Sequence, residues 1–171
     1  MLSFLFRRLT ADPHRGAAMF DAIAARSREP HWYVEGTVPD TIDGRFAVLA
    51  TVASLVMVRL EQAGAAGNGA AVAVTERFIE VMEAEHRELG IGDPTLGRTV
   101  RKLGGSLAKR TELWLLAAGG YRDWAEVTRE SLYKDGVSAA ALLHSAEALN
   151  TLWNKLQSVS VEELEEGRCN D

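Results

Sequence analysis

Between Phe46 and Val58 every residue is apolar except Thr51 and Ser54. No other stretch constrains the fold so tightly. The run is too short to cross a bilayer, which takes about 20 apolar residues. Phe46, Leu49, Ala50, Ala53, Val56, Met57 and Leu60 recur at spacings of three and four, while Val48, Val52 and Leu55 fill a second face. A helix that is apolar nearly all round belongs in the middle of a bundle. Leu49, Ala53, Val56 and Met57 are therefore expected in the core. The run opens under Asp40, Asp43 and Arg45 and closes at Arg59, so it has a charged mouth.

Helical punctuation continues on both sides of this segment. Asp12 and Pro13 form a helix start, followed by Ala17, Phe20, Ile23 and Ala24 at helical spacing and Pro30 as a stop. After the apolar helix, GAAGNGAA reads as a flexible loop, with Asn68 capping a third helix that runs to Gly90. Asp93 and Pro94 begin a fourth helix reaching about Ala118. YRDWAEVTRESLY and SAAALLHSAEALNTLWNKL are two further helices, the latter capped by Ser138, and Ser160 with Glu163 fits a capping box in a short acidic tail over 160–171. There is no period-two strand pattern and no tandem repeat. The expected fold is all-α, a single compact domain over 1–171 with about six helices.

Composition narrows the function classes. A chain of 171 residues with 47% hydrophobic and 25% charged residues is long enough for one core and too apolar for wholesale disorder. A formal net charge of −5 argues against a general nucleic-acid binder. Cys169 is the only cysteine, which excludes an internal disulfide and makes a reducing, cytoplasmic compartment the default. At the amino terminus, Met1 to Phe6 precede Arg7 and Arg8, the reverse of the order in a secretory signal.

Catalytic signatures are sparse. No nucleophile elbow, phosphate-binding glycine loop or paired cysteine motif occurs. His14, His31, His86 and His144 are scattered along the chain, none beside a serine or cysteine nucleophile. Glu83 and His86 have the spacing used in di-iron carboxylate bundles, but that chemistry needs a second such pair and two more glutamates. No catalytic residue, metal or cofactor is expected.

Helix physics accounts for most of the charged mouth. Thr41 or Asp40 can cap the apolar helix, Asp43 suits the positive end of its dipole, and Arg59 suits the other end. Arg45 is the exception, because a cation in the first turn opposes the dipole and needs a carboxylate or an anionic ligand. Gly44 beside it costs about 1 kcal/mol of helix propensity relative to alanine and permits a close approach to the backbone.

Tyr33, the D-T-x-D-G-R-F block from Asp40 to Phe46, Arg59 and Leu60, and then the R-E-L-G-x-G-D block from Arg87 to Asp93, occur in this order. In these residues the chain resembles the ubiquinol-cytochrome c chaperone family of mitochondria and alphaproteobacteria, over about 31–110. The resemblance implies a non-catalytic protein that binds newly made cytochrome b and assists assembly of the ubiquinol-cytochrome c oxidoreductase complex at the inner membrane. Mitochondrial members work with a small partner protein at the ribosome. Where the family tends to show Tyr-Gly-Arg, this chain has Ala108, Lys109 and Arg110, keeping only the arginine.

Two expectations about the site follow. The matched blocks are expected to meet, with Arg45 reaching Asp93 across a helix junction and Asp40 as the local alternative. Arg98, Arg101, Lys102, Lys109 and Arg110 lie in a stretch without Asp or Glu, and the first four fall within about 100° of helical arc. Such a face suits anionic lipid headgroups or ribosomal RNA phosphate, unless Gly104 and Gly105 break the helix. The expected partner-binding residues are Tyr33, Asp40, Asp43, Arg45, Asp93, Arg98, Arg101, Lys102, Lys109 and Arg110. An assembly chaperone, cytoplasmic and peripheral to the inner membrane, is the leading function. A helical carrier of an isoprenoid or lipid and a di-metal carboxylate enzyme are the alternatives.

Overall fold

The computed structural model describes residues 16–88, 90 and 93–168. The apolar amino-terminal stretch, the Asp12–Pro13 helix start, His14, Leu89, Gly92 and Cys169 lie outside the described residues. Among the described residues there are seven α-helices: α1 (Ala17–Ser27), α2 (Ile42–Gln62), α3 (Ala65–Glu88), α4 (Asp93–Ala118), α5 (Trp124–Leu132), α6 (Ala139–Gln157) and α7 (Val161–Glu165). A 3-10 turn, Pro30–Trp32, sits between α1 and α2. Among the described residues no helix is long and apolar enough to cross a membrane.

The apolar run is α2, which packs against α1, α3, α4, α5 and α6. Val48, Val52, Leu55, Val58 and Leu60 are almost fully buried, and so are Ala53 and Val56. Leu49 and Met57, expected in the core, are only half-buried. They lie with Phe46 at the edge of the core, because five helices cannot cover the whole circumference of a sixth along its full length.

Capping chemistry fixes where helices begin. Thr41 Oγ1 accepts from the Gly44 N–H at 3.2 Å, Asp123 Oδ2 from Glu126 at 3.0 Å and Ser138 Oγ from Ala141 at 3.2 Å. The Ser160 and Glu163 capping box forms in both directions, so the acidic tail contributes a short seventh helix where about six were expected. Gly90, with φ of 78°, stands just beyond α3, as a helix-terminating glycine should.

Two glycine-rich stretches break the sequence expectations. GAAGNGAA is not a loop and Asn68 is not a cap, since α3 begins at Ala65 and only Ala63 and Gly64 make the turn. Packing overrides propensity here. A Cβ on Gly67 would lie 2.0 Å from the Leu60 carbonyl oxygen, so the glycine is what lets α3 cross close to α2. Gly104 and Gly105 do not interrupt α4, which is continuous across them.

Two arginines lock helix ends from the side. Arg59 donates to the Leu156 carbonyl at 2.9 Å and the Val159 carbonyl at 2.7 Å, so it closes the carboxyl end of α6 as well as suiting the end of its own helix. Arg110 donates from Nη2 to the Ser131 carbonyl at 3.0 Å, in the last turn of α5, and to the Ser106 side chain on its own helix. Its guanidinium carbon lies 5.8 Å from the centre of the Phe46 ring. Both use a cation to satisfy the orphan carbonyls at the negative end of a helix dipole.

Candidate functional site

The mouth of α2 is assembled from the loop at 28–41, the first turn of α2 and the residues after α5. Trp32 anchors the loop: it is buried, and its indole N–H donates to the Arg26 carbonyl at 2.9 Å. Tyr33 donates its hydroxyl to the Ser27 carbonyl at 2.9 Å, and Tyr133 donates to the Gly36 carbonyl at 2.6 Å. Burial raises the pKa of both tyrosines above the ordinary value. Neither phenol is therefore poised as an acid or base near neutrality.

Arg45 takes the local partner. Its Nε lies 2.6 Å from Asp40 Oδ1, and both side chains are mostly in solvent. The hydrogen bond and the charge of Arg45 hold the Asp40 carboxyl below the usual range. The Asp93 side chain lies outside the described residues, and the observed pair does not tie α2 to α4. The reason is geometric: Asp40 precedes the cap at Thr41, and an arginine one turn into the helix folds back onto it. Asp43 instead makes the long-range tie, to Lys134 beyond α5, and that contact lowers its pKa. The charge of Lys102 on α4 adds to the same effect.

Gly44 is explained by the chain itself. A Cβ there would meet the Pro39 carbonyl oxygen at 1.9 Å, so the close approach is made by the entering loop. Two apolar side chains stand exposed among these polar groups: Val34 and Ile42 are each 68% exposed. Composition gave no hint of them, although an isoleucine placed directly after the Thr41 cap sits in a first turn that faces out of the bundle.

The basic residues of α4 divide. Arg98, Arg101, Lys102 and Lys109 are exposed, whereas Arg110 turns inward to the contacts described above. Arg110, expected as a binding residue, makes its hydrogen bonds within the fold, and burial disfavours its charge.

One cluster had no sequence signal at all. His31 Nδ1 lies 3.1 Å from His144 Nε2, and His31 Nε2 lies 3.0 Å from Glu29 Oε2. A carboxylate only accepts, so His31 Nε2 donates to Glu29, and a neutral His31 then accepts from His144. Two histidines treated as scattered thus pin the 28–41 loop to α6. His86 is engaged locally, its Nδ1 2.7 Å from the Met82 carbonyl of its own helix. Among the described residues no three His, Cys, Asp or Glu side chains converge as a metal site requires.

Two clefts open on the surface of the described residues. One, of about 180 Å³, is lined by Arg26, Glu29, His31, Trp32 and residues of α6 including Lys155. The other, of about 530 Å³, lies between the start of α5 and α6 at Asp123, Trp124, Glu147 and Asn150. Neither has α2 as a wall, which is what a carrier built on the apolar helix would need.

With the geometry in view, comparison with known proteins gives a consistent result. The family model for the ubiquinol-cytochrome c chaperone matches residues 35–169. It extends well past residue 110, through α5, α6 and α7. Among solved structures, the crystal structure of the Cbp3 homolog from Brucella abortus superposes with a TM-score of 0.77 at 24% identity, covering 98% of this chain and 94% of that one. That similarity establishes the shared fold. Among curated proteins, none matches the sequence significantly.

Proposed function

The chain belongs to the ubiquinol-cytochrome c chaperone family, and from that premise we propose that it is a non-catalytic assembly chaperone whose client is newly made cytochrome b. The family match over residues 35–169 carries this reading. On this reading the protein works on the cytoplasmic side, peripheral to the inner membrane, where a membrane protein leaves the ribosome. No cofactor is part of the mechanism.

The mouth of α2 suits such a client. Val34 and Ile42 offer an apolar contact, and Tyr33, Asp40, Arg45, Asp43 and Lys134 form a polar rim around it. An apolar centre with a polar rim is the usual anatomy of a protein interface. The two ion pairs are exposed, and exposed pairs are screened by solvent and contribute little to stability. They can therefore exchange partners with charged loops of the client at little cost.

A tagged copy purified from its native cell should carry cytochrome b with it. Replacing Val34 and Ile42 by aspartate should abolish that association and leave the melting temperature unchanged. Arg45→Ala should weaken it. Full retention of cytochrome b by the Val34→Asp, Ile42→Asp double variant would show that the mouth is not the client site, and absence of cytochrome b from the wild-type eluate would overturn the function itself.

A further inference from the structure

On α4, Arg98, Lys102, Gly105, Lys109, Glu112 and Leu116 alternate at spacings of four and three. Residues so spaced make one nearly straight row along a helix. Arg101 flanks it. Arg98, Arg101, Lys102 and Lys109 are all exposed, and among the described residues none has an ion-pair or hydrogen-bond partner. By contrast Arg45, Arg122, Lys134 and Arg168 each reach a carboxylate. In a chain of net charge −5, no Asp or Glu occurs between Asp93 and Glu112.

Two more observations give the row a direction. A Cβ on Gly104 or Gly105 would meet nothing within 4 Å, so internal packing does not require either glycine, although each costs about 1 kcal/mol in a helix interior. What they provide is a low saddle between Lys102 and Lys109. Beyond it, the end of α4 turns apolar: Leu115 and Leu116 are 43% and 41% exposed, and Tyr121 just after the helix is 82% exposed. At 1.5 Å per residue, the span from Arg98 to Leu116 is about 27 Å.

We infer that this row is a docking face for an anionic lipid surface, with the four cations against headgroup phosphates and Leu115, Leu116 and Tyr121 seated at the apolar boundary. Phosphate alone would be satisfied by RNA, but a polyanion in water has no use for the exposed leucines at the end of the row. A membrane interface takes both. The face stands apart from the identity of the client, although Lys102 acts on Asp43 and so puts the row beside the mouth.

Vesicle flotation of the full chain tests this without any client. The protein should float with vesicles of phosphatidylcholine and phosphatidylglycerol at low salt, not with phosphatidylcholine alone, and added salt should release it. At about 1 kcal/mol per basic residue near the surface, the triple variant R98Q/K102Q/K109Q should lower partitioning on the order of a hundredfold. R98K/R101K should keep it, and L116S should lower it severalfold at any salt. All these side chains except Leu116 are fully outside the core, so the circular-dichroism melt of the charge variants should match wild type. Equal binding to neutral vesicles, wild-type partitioning by the triple variant, or binding to polyuridylic acid without binding to anionic vesicles would each overturn the assignment.

Discussion

The two ends of α2 are built on opposite principles. At its carboxyl end Leu60 is fully buried, Gly67 of α3 lies against the Leu60 carbonyl, and Arg59 closes the last turn of α6. At its amino end Ile42 faces solvent, Leu49 is half-buried, and the ion pairs from Asp40 to Arg45 and Asp43 to Lys134 are exposed. A single helix is thus anchored at one end and left available at the other. Binding at the mouth meets the exposed side chains there, while the buried Trp32, Val38 and Val48 hold the loop and the first turns from beneath.

Mutations can break or sharpen this contrast. The largest effect is expected at Leu60, where truncation to alanine should cost about 2 to 5 kcal/mol in urea unfolding. Arg59→Met comes next: it leaves the Leu156 and Val159 carbonyls without a charged donor and should cost about 1.5 to 3 kcal/mol. Leu49→Ala at the half-buried edge should cost about 1 to 2 kcal/mol, less than any full core truncation. If Leu49→Ala destabilises as much as Leu60→Ala, the two ends are not different and the contrast fails.

The smallest effect is expected at Asp43. Its folded pKa lies below the unfolded value because of Lys134. The contribution is therefore fully present above the unfolded pKa and is lost as pH falls through the folded one. Asp43→Asn should leave stability at neutral pH nearly unchanged and remove a small part of the acid-induced loss, an effect that salt reduces. A large loss at neutral pH would show that the mouth is part of the fold's foundation.

Local chemistry was legible and lateral chemistry was not. Thr41, Ser138 and the Ser160 with Glu163 box could be read because a cap and its backbone donor lie within three residues. The central place of α2 followed from its unbroken apolar circumference. Glycine misled twice: at GAAGNGAA sequence shows the propensity cost and hides the neighbour that compensates it, and at Gly104 with Gly105 the helix runs on although no neighbour crowds either position. Gly67 had such a neighbour in Leu60. The destination of Arg45 was legible only as a choice between Asp40 and Asp93. The pairing of His31 with His144, 113 positions apart, left no trace in spacing. Nor could the inward turn of Arg110 be read, since it depends on where α5 ends.

The bond from Arg59 to the Val159 carbonyl joins residues 100 positions apart. Translation runs at about 5 to 20 residues per second, so α2 leaves the ribosome roughly 5 to 20 seconds before α6 can cover it. During that interval the most apolar helix of the domain has only its earlier neighbours to hide behind. Contacts of such long sequence separation also slow folding after release. On the proposed function, the chaperone passes early in its own life through an exposed state of the kind it shields in its client.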